Sequence, residues 1–315
     1  MPNKTKPLEE RKFNIYGIEK DSVVCIGPHR LLCGSSRRTS SYVALLGESK
    51  VDLVVTSPPY ADGITRKYDK GSGFIPIRDD DYKDWCMGFI RPMKKFLNED
   101  GNFILNIGMP VKNGCRPLHV YEIILEMVKH HGWQFADHIA WTKSGIPGKY
   151  VGRLKNQWES IYHMRFNKDA KFFGKRLGVL SHNAIRSGGT GRVATWQGNT
   201  GSSPSDIKNE TAFAQRGNVL SFGNSNESCG HNATFPGKLP RFFIKLMTEK
   251  GDKVLDPFCG SGTTMIEAAQ CGRIGYGIEI SANFCGYIAF RMSEVTGEKV
   301  IVKKGLVNVN SGKNS

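Results

Sequence analysis

The chain has 315 residues, 39% of them apolar, which is enough for one large domain or a core with a smaller lobe. Its 44 basic and 29 acidic residues leave a net charge of +15 and a pI near 9.4, a balance that suits a polyanionic partner, most simply nucleic acid. Eight dispersed cysteines without a C-x-x-C pair argue against a zinc ribbon or a disulfide scaffold, and no run of about 18 apolar residues offers a membrane span.

Residues 1–12 are charged and lack the apolar core of a signal peptide, so the cytoplasm is the expected location. Val51–Thr56 reads as a buried strand, a short apolar, β-branched run stopped by Pro58 and Pro59. Residues 61–81 read as a loop rich in glycine and charge. Asp84–Leu97 has helical spacing, with Trp85, Phe89, Met93 and Phe96 on one side. Asn102–Ile107 reads as a strand and Leu118–His131 as a helix. Phe135–Trp141 and Glu159–Met164 read as further strands. Between Gly174 and Gly230 the periodicity fades, and Gly, Ser and Asn supply 24 of 57 residues. Order returns with a helix at Leu239–Thr248, a strand at Val254–Asp256, a helix at Thr263–Cys271, a strand at Ile274–Glu279 and a helix at Ala282–Thr296. The tail from Lys303 reads as frayed. Strands alternating with helices predict an α/β fold, a mostly parallel sheet covered on both faces.

Two stretches carry chemistry. The first is Lys253-Val-Leu-Asp-Pro-Phe-Cys-Gly-Ser-Gly-Thr-Thr264, followed by Glu279 at the end of the next strand. Asp256, Phe258, Gly260, Ser261, Gly262 and Thr263 form a glycine turn that lets backbone approach a ligand. Glu279, 23 positions after Asp256, can accept hydrogen bonds from two ribose hydroxyls. A phosphate-cradling P-loop needs a lysine after the second glycine, and Thr263 stands there. A dinucleotide fold needs a third glycine, which is also missing.

The second stretch is Ser57-Pro-Pro-Tyr60. Pro58 and Pro59 fix φ and remove two donors, so carbonyls at Ser57 and Pro58 can accept from a ligand. An amino group on a base is a poor nucleophile because its lone pair is delocalised into the ring. Acceptors on its hydrogens, the Ser57 side chain and the Pro58 carbonyl, would localise that pair. Tyr60 offers a face for a flipped base. The competing reading is a rigid proline turn closing a strand.

Together, in this order, the two stretches resemble the β group of DNA amino-methyltransferases, with the catalytic loop ahead of the S-adenosylmethionine (AdoMet) loop. The resemblance covers most of residues 25–295. It implies a Rossmann-like AdoMet-dependent methyltransferase fold, AdoMet as cofactor, double-stranded DNA as partner and a cognate restriction endonuclease alongside. His231-Asn-Ala-Thr-Phe-Pro236 resembles the segment that lines the methionine end of the cofactor, which implies Thr234 and Phe235 there. Serine in the first position of Ser57-Pro-Pro-Tyr60 is the pattern of cytosine N4 methylation, whereas Asp or Asn is usual for adenine N6. The family's Gly-Asp before the catalytic strand is here Gly34-Ser35, which puts adenine contact through Ser35 in doubt. Carbon-5 methylation of cytosine is excluded by the lack of any Pro-Cys pair.

The resemblance also implies a division of the chain. Residues 1–167 form the catalytic region, 168–230 the target-recognition region, 231–302 the AdoMet region that completes the domain, and 303–315 a tail. Lys171, Lys175, Arg176, Arg186, Arg192, Lys208 and Arg216 are candidates for phosphates or guanine edges, and Gln197, Asn199 and Gln215 for adenine edges. A linker without fixed structure is the competing reading of that region. Arg66, Lys67 and Lys70 can close over substrate, or be a solvated charge run. Other classes remain: RNA or a protein glutamine amide as substrate, and a catalytically silent nucleic-acid-binding module.

Overall fold

The computed structural model describes residues 13–61, 77–111, 114–143, 150–177, 179–180, 213–214, 216–222 and 236–304. Its centre is a ten-stranded sheet. In chain order the strands are β1 (Val23–Ile26), β2 (His29–Cys33), β3 (Val51–Thr56), β4 (Leu97–Ile107), β5 (Gln134–Thr142) and β6 (Trp158–Arg165), then β9 (Val219–Ser221), β10 (Lys253–Asp256), β11 (Ile274–Glu279) and β12 (Val300–Lys303). A separate pair joins β7 (Val179–Leu180) to β8 (Phe213–Ala214). The order across the sheet is β12-β1-β2-β11-β10-β3-β4-β6-β5-β9. Strands β2, β11, β10, β3 and β4 run parallel; β6 is antiparallel to β4 and β5, and β1 to β2 and β12.

The central strands read as continuous apolar runs because both faces are covered. Along β3, Val54 points into one core while Leu53 and Val55 point into another, and Leu255 and Val254 alternate likewise on β10. Helices α1 (Thr39–Leu46), α2 (Asp79–Lys94) and α3 (His119–His130) cover the first face. Helices α4 (Lys238–Met247), α5 (Thr263–Gln270) and α6 (Ala282–Thr296) cover the second. The burial of Tyr42, Phe89, Ile123, Phe243 and Ile288 anchors them, at roughly 1.5–3 kcal/mol of transfer free energy for each large apolar side chain.

Several boundaries differ from the sequence expectations. Helix α2 starts at Asp79, inside the stretch read as loop, because Asp79, Asp80 and Asp81 complement the positive end of the helix. Strand β4 begins at Leu97, five residues early, and its pairing with β3 shifts register between Val51 and Leu53. Lys303, read as tail, closes β12, and Lys304 pairs with Glu19 at 3.0 Å. Within the segment expected to recognise DNA, Ala170 and Leu220 are buried and β9 extends the catalytic sheet beside β5.

The chain leaves β10 through α5 to β11 on one side, and leaves β3 through α2 to β4 on the other. The crevice between the carboxyl ends of β10 and β3 is therefore a topological switch point, where open α/β sheets bind ligands. Both chemistry-bearing stretches open into it.

Candidate active site

The two loops are tied together beneath the crevice. Asp256, 1% exposed, ends β10 and accepts from three donors. Thr56 Oγ1 and the Phe258 amide reach Oδ1 at 2.7 and 3.0 Å, and Thr264 Oγ1 reaches Oδ2 at 2.7 Å. Burial raises the Asp256 pKa and these three hydrogen bonds oppose the rise. The carboxylate is thus occupied in holding β3, the glycine loop and α5 in one geometry. Asp256 thus sets the shape of the loop expected to hold the cofactor.

The glycine loop takes its shape from two left-handed residues, Gly260 (φ +53°) and Gly262 (φ +82°). At Gly262 a Cβ would also lie 2.9 Å from Ile288, so that position admits glycine alone on two grounds. Ser261 is 2% exposed, its hydroxyl 3.1 Å from Thr263 Oγ1, and Arg291 Nη1 donates to its carbonyl at 2.7 Å. Phe258 is half-buried between Trp85 (5.5 Å between centroids) and Phe89 (4.8 Å, edge to face).

Glu279 stands where the sequence placed it, at the end of β11. Its Oε2 accepts from the Gly260 amide and its Oε1 from the Ser281 amide, each at 2.9 Å. Burial pushes its pKa up to about 7 against those two hydrogen bonds. The residue as a whole is half-buried at the lip of the crevice, with its carboxylate drawn inward onto those amides. The next residue, Ile280, is 55% exposed at the same lip and was not foreseen. Ser35 is brought alongside: the Gly34 amide donates to the Glu279 carbonyl at 2.8 Å. The Ser35 hydroxyl accepts from the Arg37 amide at 3.3 Å, a local serine turn.

On the β3 side, Pro58 is buried while Ser57, Pro59 and Tyr60 are half-exposed. Tyr82 Oη donates to the Pro59 carbonyl at 2.7 Å, which fixes the turn. The Tyr60 ring lies against the backbone of Gly108, just past β4; a Cβ there would come within 2.7 Å of Tyr60 Cε2. Tyr60 Oη is 3.4 Å from Ser57 Oγ and donates to Glu159 Oε2 at 3.3 Å. Glu159 is in turn ion-paired to Lys143, whose Nζ sits 4.1 Å from the Trp141 ring centroid. Tyr82, Gly108, Glu159 and Lys143 are members of the site that the sequence alone did not single out. Glu159 opens the strand expected at Glu159–Met164, but only the β6-to-β4 register brings it to Tyr60.

The expected nucleic-acid contacts divide. Arg66, Lys67, Lys70, Arg186, Arg192, Gln197, Asn199, Lys208 and Gln215 lie outside the described residues, as do Thr234 and Phe235. Two others are corrected. Lys171 bridges Asp52 at 3.1 Å and Asp252 at 3.0 Å near the amino ends of β3 and β10, opposite the crevice. Burial disfavours its charge, but the hydrogen bonds to Asp252 and Asp52 prevail and push its pKa up to about 12. Arg176 binds the Thr248 carbonyl and Glu249 at that same edge. Arg216 is exposed on the flank of the sheet, its Nε donating to the Leu177 carbonyl at 3.3 Å, and is not brought to Tyr60. Among the described residues no group of His, Cys, Asp and Glu is arranged to hold a metal, and no helix is long and apolar enough to cross a membrane.

Known proteins share this fold. The chain is 25% identical over 287 residues to the type II methyltransferase M.PvuII of Proteus hauseri, spanning 80% of this chain and 82% of that protein. The solved PvuII DNA methyltransferase (cytosine-N4-specific) superposes with a TM-score of 0.60 at 21% identity, covering 85% of this chain and 90% of that one. A putative DNA modification methylase of Thermus thermophilus, TTHA0409, solved in complex with S-adenosyl-L-methionine, gives 0.54 at 22% identity, covering 85% and 94%. The profile of the N6/N4 methyltransferases, described as DNA methylase, matches residues 51–290. That match takes in both loops and the strands between them, and the chain belongs to the N6/N4 family of DNA methylases.

Proposed function

We propose that this DNA methylase transfers a methyl group from AdoMet to the exocyclic N4 of cytosine in duplex DNA. The observation that carries the reading is Ser57, a short, uncharged acceptor, at the head of the turn that holds Tyr60. The cytosine-N4 specificity of the PvuII enzyme supports the same choice.

AdoMet supplies an electrophilic methyl on a sulfonium. The chain's own groups fit such a ligand: the Glu279 carboxylate at the end of β11 for ribose hydroxyls, Ile280 and Phe258 for an apolar ring, and the open backbone at Gly260. Thr263 closes the loop, and Ser35 borders Glu279. Thr234 and Phe235 are assigned to the methionine end by family resemblance.

On the opposite wall, Tyr60 stacks on the extruded cytosine. Ser57 Oγ and the Pro58 carbonyl accept from the amino hydrogens and direct the nitrogen lone pair towards the methyl. Pro59 and Tyr82 hold the turn rigid, so alignment rather than covalent catalysis lowers the barrier. Glu159 and Lys143 orient the Tyr60 hydroxyl. The rest of 168–230, with Arg186, Arg192 and Gln197, is assigned to target recognition, and Arg66 and Lys67 to the phosphates nearest the substrate. A cognate restriction endonuclease in the same cytoplasm is the proposed biological partner, in line with the type II relatives.

The test is single-turnover transfer from labelled AdoMet to duplex DNA. Ser57→Ala should slow transfer while leaving AdoMet binding intact. Tyr60→Ala should cost roughly 1–3 kcal/mol of stacking. Full turnover in both variants would remove the loop from the mechanism.

A further inference from the structure

The strand that brings Glu159 to Tyr60 is preceded by an unusual surface. Val151 is 89% exposed and Leu154 91%, and Trp158 is 48% exposed at the start of β6. Isolated exposed apolar residues need no explanation, but these stand within one short turn. Basic groups flank them: Lys155 and Arg116 are exposed, and Arg153 lies 4.8 Å over the Tyr150 ring.

The turn is fastened to the catalytic rim. Arg116 Nη1 donates to the Met109 carbonyl at 2.9 Å, one residue past the Gly108 that backs Tyr60. Its Nη2 is hydrogen-bonded to Asn156 Oδ1, which Arg153 Nη1 also reaches at 3.5 Å. Two apolar side chains are thereby held out to solvent beside the pocket, at a position set by the residues that seat Tyr60.

Extruding a base leaves a gap in the stack. Proteins that deform duplexes fill such gaps with apolar side chains while cations hold the flanking phosphates. We propose that residues 150–158 form the duplex-opening surface, with Leu154 and Val151 inserted into the space vacated by the target base and Arg116, Arg153 and Lys155 set against the adjoining phosphates. The occupant is duplex DNA, indicated by the charge around the apolar pair and by continuity with the Tyr60 pocket. The proposal rests on the methyltransferase reading above and adds the part of the chain that offsets the cost of base extrusion.

The test compares parent and Leu154→Ser, alone and with Val151→Ser, on two duplexes carrying the site found by mapping the parent's product. In one the target base is correctly paired; in the other it is mismatched and already loosened. Filling the gap matters most for the paired duplex, so transfer there should fall at least about tenfold, against less than about threefold on the mismatched one. AdoMet binding should be unchanged. Parent-like transfer on the paired duplex, or an equal loss on both, would overturn the proposal while leaving the methyltransferase reading intact. Loss of a dimer in sedimentation with Leu154→Ser would assign the surface to a second copy of the chain instead. A parent that methylates no DNA would remove the underlying reading and this proposal with it.

Discussion

Thr56 Oγ1 donates to Asp256 Oδ1 at 2.7 Å, joining residues 200 positions apart at the ends of adjacent parallel strands. One residue later on each strand the two functional loops begin. The bond therefore sets the distance between the wall that holds the base and the wall that holds the cofactor. Thr56→Val keeps the volume and removes one of three donors to a buried carboxylate. We expect about 1.5–3 kcal/mol of lost stability, the usual range for a hydrogen bond to a charged group. Urea unfolding measures it, and AdoMet titration of the same variant should show weaker binding although Thr56 does not face the crevice.

Glu279 makes cofactor binding depend on pH. Burial raises its pKa from 4.5 to about 7 in the free protein. Between those values the folded chain holds a proton that the unfolded chain has released, so this group's contribution to stability falls as pH rises from about 4.5 to about 7. Binding has the opposite sign, because ribose hydroxyls donate to the ionised carboxylate. AdoMet affinity should therefore weaken as pH drops below about 7, approaching tenfold per unit. Calorimetry from pH 5.5 to 8.5 checks this. Glu279→Gln should abolish the dependence, and Glu279→Ala should bind at least about tenfold more weakly at pH 8.

The seat of Tyr60 can be probed without touching its ring. A Cβ at position 108 would lie 2.7 Å from Tyr60 Cε2, so Gly108→Ala must displace the aromatic face. Methyl transfer should fall with AdoMet affinity unchanged. Glu159→Gln keeps the shape but loses the ion pair to Lys143 and the charged acceptor for the Tyr60 hydroxyl. Its effect on single-turnover rate should be smaller than that of Tyr60→Ala and should not add fully to that of Tyr60→Phe. Additive losses in the double variant would show that Glu159 acts elsewhere.

Salt should separate cations that meet DNA from those that hold the fold. A chain of net charge +15 should lose DNA affinity steeply with ionic strength. Neutralising Arg186 and Arg192 together should reduce the log–log slope by up to about 2. Lys171→Met should leave the slope unchanged. It should instead destabilise the chain by about 1 kcal/mol or more, because it leaves Asp52 and Asp252 facing each other without their cation.

Much of this was legible in the sequence, and the rest was hidden for physical reasons. Strands β3 and β11 and helix α6 fall where the apolar pattern put them, because buried parallel strands and a long amphipathic helix carry their signal locally. Strands β1 and β2 went unread: they are four and five residues long, and their pattern makes sense only once β11 and β12 flank them. Helix α1 has eight residues and opens on Thr39-Ser40-Ser41, which reads as a turn. At the site, Ser57, Tyr60, the glycine loop and Glu279 were visible as contiguous motifs. Glu159, Lys143 and Gly108 were not, since their meaning comes from pairings across the sheet. Lys171 misled for the converse reason: charge in a polar segment suggested phosphate, and only the fold brings Asp52 and Asp252 to it.

The target base is identified most directly by digesting to nucleosides a duplex DNA incubated with the purified chain and AdoMet, and weighing the products. The parent reaction should yield N4-methylcytosine, and Ser57→Ala and Tyr60→Ala should yield less of it at equal time. N6-methyladenine as the sole product would contradict the assignment of the target base. The absence of any methylated base would contradict the mechanism as a whole.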